Sequence, residues 1–154
     1  MKKRKFLFFI TLLTLVLLIL PSCKDTRSAE DILFGITKDI STLPHGNVYL
    51  KSAEEGGAAY LSPAMISALY GEGAALYEFT FIEDFAVYIS LFARPCEVAV
   101  YKCYSASDTD LIASMCLSRI DNLKVVLSGT SFSDIVSSAT VRISGKFVIV
   151  TMVS

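Results

Sequence analysis

Few residues in this chain have the type and spacing that chemistry requires. Two charges stand alone among apolar neighbours: Glu97, ahead of Val98-Ala99-Val100-Tyr101, and Arg119, ahead of Ile120. The pattern puts one on a strand and the other on the helix facing it. They are expected to be a structural ion pair or two solvated ends, or else a polar anchor in a ligand groove. The carboxylate pairs Glu54-Glu55 and Glu83-Asp84 are adjacent in sequence. Adjacent strand residues point to opposite sides, so neither makes an acid/base couple alone; both read as solvated turns. Asp108-Thr109-Asp110 has the start of a calcium loop but not its glycine or distal glutamate. It suits the first turn of a helix better. Gly129-Thr130-Ser131-Phe132-Ser133 lacks the second glycine of a nucleophile elbow, and no strand leads into it. Gly71-Glu72-Gly73 lacks the third glycine of a dinucleotide loop. His45 is the only histidine, and no cysteines have metal-ligand spacing, so neither a metal nor another cofactor is expected. With no nucleophile, base and orienting group to assemble, no enzymatic activity is expected.

Cys23 has the clearest chemistry. Lys2-Lys3-Arg4-Lys5 precede an uncharged, mostly apolar run from Phe6 to Leu20, followed by Pro21-Ser22-Cys23. A basic start, a short apolar stretch and a small residue before a cysteine form a bacterial lipoprotein signal. Spanning a bilayer takes roughly 20 apolar residues, more than this run holds, and Pro21 ends the helix early. Residues 1–22 are therefore expected to be a signal peptide, and 23–30 a lipidated N-terminus and short tether. Residues 31–154 are expected to form one domain on the extracytoplasmic face of the cell membrane, anchored by acyl chains such as palmitate on Cys23.

Residues 1–22 hold four of the 14 Lys and Arg and none of the 15 Asp and Glu. The remainder carries 10 against 15, a net charge of −5. An acidic domain of this kind is a poor partner for nucleic acid or an anionic membrane face. Acylation of Cys23 leaves Cys96, Cys103 and Cys116. Cys96 and Cys103 bracket one strand and, at about 3.3 Å per residue, lie beyond disulfide reach. A Cys103–Cys116 bridge is geometrically allowed, but buried free thiols are the preferred reading.

These residues need a scaffold. Ser28 can cap a helix whose apolar positions Ile32, Leu33, Ile36, Ile40 and Leu43 run up to Pro44. Ser62-Pro63 starts a second, short helix that Gly71 ends. Phe85 to Phe92 alternates as a strand, and Glu97 to Cys103 returns as its antiparallel partner. Ser105 to Asp110 opens a long helix that stops near Gly129, and Thr130 to Ser138 reads as a loop. Ala139 to Ile143 and Phe147 to Val153 form a second hairpin around Ser144-Gly145-Lys146. The continuous apolar run of the last strand predicts burial on both faces. The expected fold is α+β: an antiparallel β-sheet of about four strands in two hairpins, with the long helix and the shorter N-terminal helices packed on one face. The other face would then be partly open, presenting Tyr88, Tyr101 and Arg142.

Five blocks stand out beside this scaffold: Leu69-Tyr70-Gly71, Phe85 to Ser90, Cys96 to Lys102, Arg119 to Lys124 and Gly145 to Val150. Together they resemble a family of small lipoproteins from Gram-positive, clostridial-type anaerobes that carry a domain of unknown function. The blocks are mostly core and turn residues, so the resemblance implies a fold and a membrane address, and no catalytic residue.

Two functions are then expected in competition. One is a membrane-anchored interaction module that meets a cell-envelope protein through the open face. The other is a small-ligand-binding lipoprotein with a pocket between the sheet and the Ser62–Gly71 helix. A contiguous exposed apolar patch of more than a few hundred Å² would mark the first.

Overall fold

A computed structural model describes residues 26–91 and 94–153. The fold is α+β, built on one antiparallel sheet of five strands in the order β1-β2-β3-β5-β4. The strands are β1 (Gly46–Leu50), β2 (Ile82–Ser90), β3 (Glu97–Cys103), β4 (Thr140–Ser144) and β5 (Phe147–Met152). The helices are α1 (Ala29–Thr37), α2 (Pro63–Tyr70), α3 (Thr109–Val126) and α4 (Ser133–Ser137). The expected two hairpins are present, and β1 is the added strand. It pairs with β2 from Gly46↔Ser90 to Leu50↔Ala86. β5 lies between β3 and β4, as its unbroken apolar sequence predicts.

Local chemistry sets the boundaries. Ser28 caps α1 in a reciprocal box with Asp31, and Ser62 caps α2 ahead of Pro63. Gly71 closes α2 at φ +105, a backbone conformation that side chains other than glycine rarely adopt. The β4–β5 turn has Gly145 at φ +60 while Lys146 keeps a negative φ, which suits the primed turn with glycine in first place. α1 is shorter than its apolar spacing predicts. It stops at Thr37, whose hydroxyl bonds back to the Leu33 carbonyl, instead of running to Pro44. The serine-rich stretch after Gly129 contains a helix, α4, because Ile135 and Val136 are buried in the main core.

Helices cover both faces of the sheet, contrary to the expectation of one covered face. α2, α3 and α4 pack on the face carrying Phe85, Val87, Ala99, Tyr101, Val148 and Val150. α1 lies on the opposite face, where Ala29 and Leu33 meet Ala86, Tyr88, Val98 and Val100. The physical reason lies in β2 and β3, which carry apolar residues on both sides. Exposing one side would leave Val98, Val100 and Ala86 in water at about 25 cal/mol per Å². Asp84 fixes the arrangement by accepting the Ala29 N–H at 2.8 Å. Its neighbour Glu83 pairs with Lys102 at 3.2 Å, so Glu83-Asp84 is a working part of the sheet and not a solvated turn. No described helix is long and apolar enough to cross a membrane.

Candidate functional site

Glu97 and Arg119 come together, the ion-pair arrangement among those their sequence context allows. Glu97 is the first residue of β3 and is 2 % exposed. Arg119 comes from the middle of α3, with Nε and Nη2 both 2.8 Å from Glu97 Oε2. Its Nη1 donates to the Leu69 carbonyl at 2.9 Å, and its guanidinium lies over the Tyr70 ring at 5.4 Å. The Tyr70 hydroxyl donates to Glu97 Oε1 at 3.3 Å and also meets the Tyr101 hydroxyl. α2, α3 and β3 are thus tied together by one polar knot. Among the described residues no buried side-chain polar atom lacks a partner.

The electrostatics agree with the geometry. Burial alone would lower the Arg119 pKa, but the Glu97 carboxylate and the Tyr70 hydroxyl outweigh it and hold the guanidinium above its ordinary value. Burial, and after it the Glu97 charge, pushes Tyr70 well above the usual tyrosine range. Tyr101 is pushed up in the same way, by burial and then by Tyr70. The Cys103 thiol is raised to about 11 by burial and by the Asp108 carboxylate, against the pull of Lys146. Cys116 is raised by burial first and Glu97 second. Such thiols are poor nucleophiles. Cys96, Cys103 and Cys116 are all buried and free.

A groove of about 220 Å³ adjoins the knot, lined by Ile89, Pro95, Glu97, Arg119, Leu123 and Met152 among others. Of the charges it reaches, Glu97 and Arg119 are committed to each other and Arg94 has an interaction of its own, so it offers a ligand little unspent polar capacity.

A larger cleft lies elsewhere, between the sheet and α2, where the ligand-pocket alternative places it. It measures about 310 Å³. Leu50 and Phe85 form its sheet wall, Leu61, Pro63 and Ile66 its helix wall, and Ala75, Phe79 and Thr80 the connection between them. Lys51 and Tyr60 complete the lining. The α2 wall is set by the Ser62 cap, whose hydroxyl accepts the Met65 N–H at 3.2 Å. Phe79 is held from below by edge contacts with Phe85 and Tyr101.

The expected tyrosine face does not form. Tyr88 and Tyr101 point to opposite sides of the sheet and both are buried. Tyr88 lies in the α1 layer and donates its hydroxyl to the Pro44 carbonyl. Tyr101 belongs to the knot. Alternation decides this: β3 residue 101 stands opposite β2 residue 85, so residue 88 is of the other parity. Only Arg142, on β4, stays exposed. Its cross-strand partner is the apolar Ile149, and the next pair on that face is Thr140 and Thr151, with hydroxyls 2.7 Å apart. Cys23 lies outside the described residues. Among those residues, no group of three His, Cys, Asp or Glu could hold a metal ion.

Sequence patterning overlooked Lys51, Tyr60 and Phe79. Phe79 sits in a short 3₁₀ turn (Glu78–Phe81) just before β2, where alternation is weak. The other two stand in the irregular stretch after β1, and neither carries a motif. In comparisons with family models, with curated proteins and with solved structures, the chain matches none of them.

Proposed function

We propose that this chain is an extracytoplasmic lipoprotein, anchored through Cys23, whose domain binds a small ligand in the cleft between β1–β2 and α2. The observation that carries the reading is the cleft itself. Its volume of about 310 Å³ and mostly apolar walls match the lower end of ligand pockets, roughly 300 to 1,000 Å³. The signal pattern of residues 1–23 and the resemblance to small lipoproteins support the membrane address. The interaction-module reading loses its main support with the burial of Tyr88 and Tyr101, because Arg142 alone makes no aromatic face.

Two measurements test the proposal. Metabolic acyl labelling is expected on the wild-type chain and not on Cys23→Ala; labelling of both contradicts the anchor. Native mass spectrometry of protein extracted from membranes is expected to show a bound small molecule. That mass should be lost in Ala75→Leu, which fills the cleft from a half-buried position. A bound mass that survives Ala75→Leu contradicts the site.

A further inference from the structure

We infer that the cleft takes a small amphiphilic anion: an apolar chain or ring bearing one carboxylate, with the carboxylate at Lys51. The inference rests on the cleft being the binding site and adds the chemical class of its occupant.

Among the described residues, Lys51 is the only charged one in the lining, and no carboxylate lines the cleft. A cationic ligand would therefore find no counter-charge there. Lys51 is exposed and forms no ion pair among the described residues. Glu54 and Glu55 stand on the same loop yet leave the ammonium unpaired. The two cations that line the groove beside Glu97 are engaged. Arg119 is spent on Glu97 and the Leu69 carbonyl, and Arg94 has a partner of its own. Tyr60 lines the same cleft, and among the described residues its hydroxyl has no hydrogen-bond partner, which leaves one neutral donor in the lining. Thr80 adds no second donor, because its hydroxyl is bonded to the Tyr77 carbonyl at 2.5 Å.

The rest of the wall is hydrocarbon: Leu50, Leu61, Pro63, Ile66, Phe79 and Phe85. A ligand polar throughout would lose its hydration there without replacement. A wholly apolar ligand would leave the lysine unused. An apolar body with a single anionic end satisfies both parts. The volume limits the body to a short chain or one ring system.

Calorimetry on the full chain with sodium octanoate and with octanol separates the possibilities. Octanoate is expected to bind about fivefold tighter than octanol, the range of a partly exposed ion pair. Lys51→Gln should bring the two together, and raised salt should narrow the gap in the wild type. Ala75→Leu should remove both and supplies the background from partition into lipid. Equal affinities in the wild type, or octanol the tighter, overturn the anion assignment and leave the cleft standing. Binding of neither, or binding unchanged by Ala75→Leu, overturns the cleft as well.

Discussion

Two regions of this domain set charge beside a hollow, and they do so in opposite ways. At the β3–α3 contact, Glu97 is buried and Arg119 half-buried, and the two are paired at 2.8 Å and backed by two tyrosine hydroxyls and a carbonyl. At the cleft between β1–β2 and α2, Lys51 is exposed, forms no ion pair among the described residues and shares the lining with mostly apolar residues. The first region has more polar groups and less capacity to bind, because each group is already used. Isolation in the sequence marked Glu97 and Arg119 as conspicuous, yet isolation among apolar residues is what a buried pair requires. A lysine in an irregular loop has no such signature, and there the unspent charge remains. A charge available to a ligand is one the fold has not already neutralised.

Breaking the knot should give the largest effect. Arg119→Ala leaves Glu97 buried and uncompensated, and is expected to lower stability by about 3 kcal/mol in denaturant unfolding. Replacing both partners, Glu97→Leu with Arg119→Met, should recover most of that loss. An Arg119→Ala chain of wild-type stability would show that the pair is not structural.

The knot should also make the domain sensitive to alkali. Tyr70 and Tyr101 keep their protons in the folded state well above the ordinary value near 10, so the folded state holds more protons than the unfolded chain at high pH. Their contribution is fully present below pH about 10 and falls as pH rises past it. Cys103 acts in the same direction, from its ordinary value near 9 up to about 11. In an ultraviolet titration, at least two of the seven tyrosines should ionise only as the protein unfolds. Seven tyrosines titrating together near pH 10 in the folded protein would contradict the knot.

The cleft should respond more gently. Ser62→Ala removes the α2 cap and is expected to cost about 1 kcal/mol. Because α2 is a wall of the cleft, octanoate binding should weaken with it. Smallest of all, Lys51→Gln should change thermal stability by less than about 0.5 kcal/mol while changing ligand preference. A large stability loss in Lys51→Gln would place that lysine in a structural contact and erase the contrast with Arg119.

Elements with strong local chemistry were legible in the sequence. Ser62-Pro63 and Gly71 bracket α2 as expected, and Gly145 turns the last hairpin. The covered second face was less legible, although one clue was present. Val98 and Val100 alternate with Ala99 and Tyr101, so both sides of β3 are apolar, and such a strand needs cover on two faces. Assigning all helices to one face conflicted with that pattern, and α1 resolves the conflict. The tyrosines failed as a surface for the same reason: large amphipathic side chains on a doubly covered strand go inside and find hydroxyl partners. Lys51, Tyr60 and Phe79 were not legible, because the cleft forms from a strand end, a loop and a 3₁₀ turn that only tertiary packing brings together.

The measurement that tests this account most directly is a nuclear magnetic resonance titration of the isotope-labelled protein with octanoate. Shift changes concentrated at Ile66, Phe79, Phe85 and Lys51, with the Glu97–Arg119 groove unmoved, are the predicted result. Changes centred on Glu97, Arg119 and Leu123, or none at all, would contradict the assignment of knot as structure and cleft as site.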